Sequence, residues 1–189
     1  LSHPDPTVKR RSGFLPAAIS SSRNLGPSVT VPYFFAVDKD KNFTLTSRLF
    51  SDENPLFLGE YHQALKNSNF YADFGYTKGY EKTSVTKKSG EKSHFFSKIV
   101  KNFKGTNNSE NTFDISLQDV SNDKYLKLYK IKSNLVDYNT DTLENSIDFT
   151  HSNEDLFFGI NATAFETLKE DYEDKYEYIF PEAFLSKSL

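Results

Sequence analysis

Three consecutive cations, Lys9, Arg10 and Arg11, form the densest cluster of chemically competent side chains near the start of the sequence. Two guanidinium forks and an ammonium suit contacts with phosphate oxygens, and the bland alternative is a solvated interfacial anchor. Pro16 and Pro32 stand in runs that otherwise alternate like β-strands. A proline in such a run withholds a backbone donor, so its contribution is a ladder bond that cannot form. The histidines His3, His62, His94 and His151 are too dispersed for a ligand motif, and Glu60 and His62 share a strand face without making a site. Asp171, Glu173, Asp174 and Glu177 lack the glycine turn of a calcium loop and read as a solvated acidic stretch. Lys87, Lys88 and Lys92 read as residues that keep a loop soluble. With no cysteine, no Gly-x-Ser-x-Gly and no phosphate loop, the expectation is a protein without catalysis, metal or cofactor.

The elements that would position these residues repeat with a period of two. Aromatics make up 15% of the 189 residues while charged residues reach 26%, a mixture suited to strands with one greasy and one polar face. In 112–120, Phe113, Ile115 and Leu117 alternate with Asp114, Ser116 and Gln118. In 142–150, Leu143, Ile147 and Phe149 oppose Glu144, Ser146 and Asp148. Segment 155–165 places Leu156, Phe158, Ile160, Ala162 and Ala164 on one face, and 69–77 sets Phe70, Ala72, Phe74 and Tyr76 against Tyr71, Asp73, Gly75 and Thr77. Weaker strands are expected at 13–23, 28–37, 42–50, 56–65, 94–103 and 176–184. Such lengths suit tilted transmembrane strands.

Short polar turns at 38–41, 67–68 and 152–154 alternate with longer polar connections at 78–92, 120–141 and 167–175. Outer-membrane barrels combine short periplasmic turns with long external loops. A sandwich of Greek-key hairpins gives a similar alternation and stays open as a soluble alternative. No stretch reaches the 18 apolar residues of a membrane-spanning helix, and a net charge of -3 gives no reason to expect nucleic-acid binding. The chain contains no Met and begins at Leu1, which reads as an internal part of a longer protein, so targeting is not legible.

Several motifs in order carry a resemblance. His3-Pro4-Asp5-Pro6, then Lys9-Arg10-Arg11-Ser12-Gly13-Phe14-Leu15, then Val31-Pro32-Tyr33-Phe34-Phe35, Phe43-Thr44-Leu45-Thr46 and Glu60-Tyr61 resemble the start of the barrel in the LPS-assembly outer-membrane protein (LptD, organic solvent tolerance) family. Ser121-Asn122-Asp123-Lys124-Tyr125-Leu126 and Tyr176-Glu177-Tyr178-Ile179-Phe180-Pro181-Glu182 are similar to later segments. His62 stands where the family often has Arg, and some members insert an apolar residue before the first proline, which leaves strand register open. The resemblance implies an all-β antiparallel meander forming part of a large transmembrane outer-membrane β-barrel. Residues 1–11 would close a periplasmic domain and 12–189 would supply the N-terminal barrel strands. It further implies insertion of lipopolysaccharide into the outer leaflet through a lateral gate between first and last strands, with Pro16 and Pro32 at that gate. The implied partners are lipopolysaccharide, an LptE-like lipoprotein plug, and an LptA-like periplasmic bridge reached through a jellyroll. A passive porin or receptor barrel is the alternative.

Overall fold

The computed structural model describes residues 10–85, 87, 89–105, 109–169 and 173–187. Its strands are β1 (Gly13–Phe14), β2 (Ala18–Ser22), β3 (Gly26–Phe35), β4 (Lys41–Phe50), β5 (Leu56–Leu65), β6 (Ser68–Gly79), β7 (Ser89–Lys104), β8 (Glu110–Val120), β9 (Thr142–Ser152), β10 (Leu156–Thr167) and β11 (Tyr176–Lys187), with one helix, α1 (Tyr125–Tyr129), between β8 and β9. All strands belong to one antiparallel sheet in which each of β3 to β11 lies beside its sequence neighbour. β1 and β2 both pair with β3 and are two halves of one interrupted edge strand. Every expected strand segment falls on a strand, and the architecture is all-β as read from the sequence. A single sheet, open at β1/β2 and at β11 among the described residues, replaces the two packed layers a sandwich requires.

Because strands run alternately up and down, the described parts of the connections after β2, β4, β6, β8 and β10 lie at one end, and those after β3, β5, β7 and β9 at the other. The long connections therefore share an end. At the short-turn end, Asn67 adopts the left-handed backbone, φ 65°, that lets two residues join β5 to β6.

Register assigns every residue to a face. Across β4 to β10, one face carries Arg48, Glu60, Asp73, His94, Asp114, Ser146 and Asn161 in successive strands, joined through the pairs Arg48–Leu56, Glu60–Asp73, Asp73–Phe96, Gly75–His94, Ser116–Ser146 and Asp148–Asn161. The opposite face carries Phe43, Tyr61, Phe74, Phe95, Ile115, Ile147 and Ile160. Phe57, Leu117 and Ile147 on that apolar face are 44%, 45% and 51% exposed. The polar face is the one covered, toward the long-loop end, while Lys98 and Asp114 further along it stay partly exposed.

What covers it is the connection between β8 and β9. Leu126, Tyr129, Ile131 and Val136 of this segment are buried, and Tyr125 is fully so. They pack with Leu56, Phe96, Val120, Leu143 and Leu168 into the buried apolar cluster of the described chain, with Phe50 and Leu58 against it. The connection 120–141, read from the sequence as a long polar segment, is not polar throughout its contacts: its aromatics fold back over the polar wall. Lys130, at φ 47°, ends α1 and turns the chain, and its N–H bonds the carbonyls of Leu126 and Lys127.

Candidate functional site

Two places concentrate polar or backbone chemistry: the seam between β1/β2 and β3, and the wall beneath the folded-back loop.

At the seam, Gly13 faces Phe34 and Phe14 faces Tyr33, but Ala18 faces Thr30. Leu15, Pro16 and Ala17 therefore oppose only Val31 and Pro32, a one-residue bulge centred on Pro16. Leu15 N–H donates to the Pro32 carbonyl at 2.9 Å. In an extended strand a residue's carbonyl and its N–H point to the same side. The N–H that Pro32 lacks is thus missing from this same seam, and Leu15 receives no return bond from it. The two prolines, expected in consecutive strands at one sheet edge, lie on one inter-strand junction, that between β1/β2 and β3. Outside it, Phe14, Val31, Tyr33, Phe35, Leu45 and Leu49 line an apolar groove of about 430 Å³. Phe14 meets Tyr33 edge-on at 4.9 Å, and Tyr33, Phe35 and Phe43 continue the aromatic row.

Of the three expected phosphate contacts, Lys9 lies outside the described residues and Arg11 is exposed. Arg10 sits at the short-turn end of the seam, where it donates to the Lys39 carbonyl at 3.2 Å and lies over the Phe34 ring at 5.7 Å. The structure brings Arg10 to the foot of the proline junction and gives it an anchoring geometry.

The wall beneath the loop holds residues that sequence spacing did not unite. His94 Nε2–H donates to Asp73 Oδ1 at 2.9 Å, and its Nδ1 lies 3.3 Å from the Tyr125 hydroxyl. Asp73, His94 and Tyr125 are 4%, 3% and 0% exposed, so this relay is sealed from solvent. Gly75, beside His94 in register, leaves the space that the imidazole and phenol occupy. Arg48 donates to the Tyr129 carbonyl, tying the end of α1 to β4. The arrangement is an Asp–His–Tyr chain that ties α1 to the strands β6 and β7. Sequence separations of 21 and 31 residues between its partners hid it from motif reading.

Burial holds the Tyr125 hydroxyl well above the ordinary tyrosine range, with Tyr129 and Asp73 acting in the same sense and Arg48 against it. A phenol whose folded pKa is raised binds its proton more tightly folded than unfolded, so its contribution to docking is complete below pH of about 10 and is lost above it. In an alkaline titration followed by tyrosinate absorbance, the last tyrosine to ionise should vanish in Tyr125→Phe. Ionisation of every tyrosine near its ordinary value would contradict the sealed geometry.

The remaining expected residues are dispersed. Glu60 and His62 do share a face and border a cavity of about 120 Å³ with Asp73, Tyr71 and Asn134, and His62 stacks on Tyr71 at 4.4 Å. Among the described residues no group of three or more acidic, histidine or cysteine side chains is arranged to hold a metal ion. His3, Lys88 and Asp171 lie outside the described residues, while Glu173, Asp174 and Glu177 are exposed. Lys87 does more than solvate its loop: it pairs with buried Glu53 at 3.3 Å and donates to the Asn24 carbonyl at 3.1 Å, joining three connections at the long-loop end. Lys92 is buried on the polar face of β7 rather than in a loop.

No family model matches the chain. A stretch of 62 residues, 33% of the chain, is 37% identical to part of the LPS-assembly protein LptD of Nitrosococcus oceani. The chain spans only 8% of that relative's length in this match.

Proposed function

We propose that this chain is a wall segment of an outer-membrane β-barrel that delivers lipopolysaccharide to the outer leaflet, acting without covalent chemistry. The observation that carries the reading is the inversion of the sheet, whose apolar face is bare and whose polar face receives the folded-back connection. A water-soluble sheet arranges the two the other way, and a lipid-embedded barrel requires this one. The partial likeness to LptD supports lipopolysaccharide as the transported molecule.

On this reading residues 12–189 are barrel strands, residues 1–11 lead in from a periplasmic domain, and the long-loop end faces outward. The gate role of Pro16 and Pro32 is supported by their convergence on one edge seam. A strand held to its neighbour by an incomplete ladder can bend away at little cost, and an amphiphile needs such a lateral opening. Arg10 and Arg11, with Lys9, would meet lipid phosphates at the short-turn rim. An LptE-like lipoprotein and an LptA-like bridge complete the proposed assembly.

The test restores the missing donors. In Pro16→Val/Pro32→Val, residue 32 regains an N–H aimed at the Leu15 carbonyl, a bond worth about 0.5–1.5 kcal/mol in water and more in lipid. The seam should tighten, surface lipopolysaccharide should fall, and cells should become detergent-sensitive. Unchanged delivery together with steady ion conductance in planar bilayers would instead make the protein a passive porin or receptor barrel.

A further inference from the structure

The wall has a second irregularity, far from the proline seam. The β8–β9 ladder ends at the pair Ser116–Ser146, although β8 continues to Val120 and β9 already begins at Thr142. Beyond that pair side chains replace the backbone ladder. Gln118 N–H donates to Asn145 Oδ1 at 2.7 Å, Asn145 Nδ2 donates to the Gln118 carbonyl at 3.1 Å, and Glu144 N–H donates to Gln118 Oε1 at 2.9 Å. An inserted amide holds the strands further apart than a direct peptide bond pair does.

Two strands along, β11 is also displaced. Thr163 pairs with Ile179 and Asn161 with Glu182, so Phe180 and Pro181 together oppose Ala162. Phe180, on this bulge, is 84% exposed, as β11 is exposed along its whole length at the edge of the described sheet. Between the two irregularities the outward residues of β10 are Ala162 and Ala164, too short to fill the space. The result is a groove of about 440 Å³ on the apolar face, walled by Leu117, Ile147, Tyr178 and Phe180 and floored by the alanines.

We propose that this groove is a binding site for one acyl chain of a membrane lipid. The proposal rests on the membrane reading above and goes beyond it by naming a fixed site and its ligand class. The occupant follows from three observations. The groove is continuous with the bare apolar face, so its neighbour in a bilayer is hydrocarbon. Its lining is almost wholly apolar: Asn145 is engaged with the Gln118 backbone, and the Tyr178 hydroxyl is the polar side-chain group left at its edge, too little to recognise a peptide or a sugar. It runs to the aromatic rim where Tyr176 stacks beside Tyr178 with ring centroids 6.4 Å apart and Tyr176 bonds Glu166, the amphipathic kind of border that sits at headgroup depth.

The probe is a phospholipid carrying a diazirine on its acyl chain. It is incorporated into nanodiscs with the intact protein, which is then washed in mild detergent before irradiation. Cross-linking should survive washing in the wild type at β10 and β11 and should drop to background in Ala162→Phe/Ala164→Phe, which fills the groove. The strand segment around Phe57, on the same face away from the groove, should label before washing and lose its label after it. A double variant that keeps the wash-resistant label, or a wild type that retains none, overturns the site. Absence of labelling at Phe57 even before washing would instead overturn the membrane reading itself, so the two failures are distinguishable.

Discussion

Replacing Ile115 by Arg should cost about 2–4 kcal/mol of folding stability in lipid vesicles, whereas Thr150→Arg should be tolerated. Ile115 lies between Ile99 and Ile147 in register, in the interior of the apolar face. Thr150 lies between Thr112 and Gly159 on the polar face. The two sites are similar in strand type and half-burial, so propensity cannot separate them. What separates them is the medium that each face meets. An arginine at 115 would place an unpaired charge in hydrocarbon, while one at 150 would remain among Asp148, Asn161 and water. Urea titrations of refolding into vesicles measure both. In a soluble sheet the exposed apolar face would be the tolerant one, and Ile115→Arg would be neutral or would improve solubility. That result, together with folding in plain buffer, would reject the membrane reading.

The same inversion accounts for what was legible in the sequence. Alternation is a local property, and Phe113, Ile115 and Leu117 announce a two-faced strand without reference to any partner. Which face meets lipid and which meets protein was not local. It depended on where residues 121–141 go, and their signal was weak because Tyr125, Leu126, Tyr129 and Ile131 are interspersed with Lys124, Lys127, Lys130 and Lys132. A five-residue helix in a lysine-rich connection reads as solvated until the wall that receives it is known. Leu143 illustrates the limit. Its parity groups it with Ile147 and Phe149 on the outward face, yet it is fully buried, because β9 has left the β8 ladder at that height and turned into the cluster. The proline seam was half legible. Both positions stood out by residue type, but their convergence needed the register of β1, β2 and β3.

Gly75→Ala should release the folded-back loop while leaving the strand meander intact. A Cβ at Gly75 would lie 2.6 Å from the His94 ring and 2.7 Å from the Tyr125 hydroxyl, closer than side chains tolerate. Neither neighbour can step aside cheaply: His94 is held by Asp73 on its far side, and Tyr125 is enclosed by the cluster. Gly75 has no positive φ, so backbone strain is not involved and space alone decides the outcome. Overpacking of this kind costs about 1–3 kcal/mol. The cost falls on α1, because Tyr125 approaches from a connection while His94 is fixed in a sheet. Trypsin should therefore cleave after Lys124, Lys127 and Lys130 much faster in Gly75→Ala than in wild type, with the heat-resistant mobility of a folded barrel preserved on gels. Gly13→Ala is the matched control, since nothing lies within 4 Å of its Cβ. Adding Tyr125→Phe to Gly75→Ala removes the oxygen from the clash and should restore part of the protection. If Gly75→Ala is cleaved no faster than Gly13→Ala, Tyr125 is not what holds the loop against the wall. If Tyr125→Phe fails to rescue, the clash acts through His94, and the relay rather than the phenol sets the position of α1.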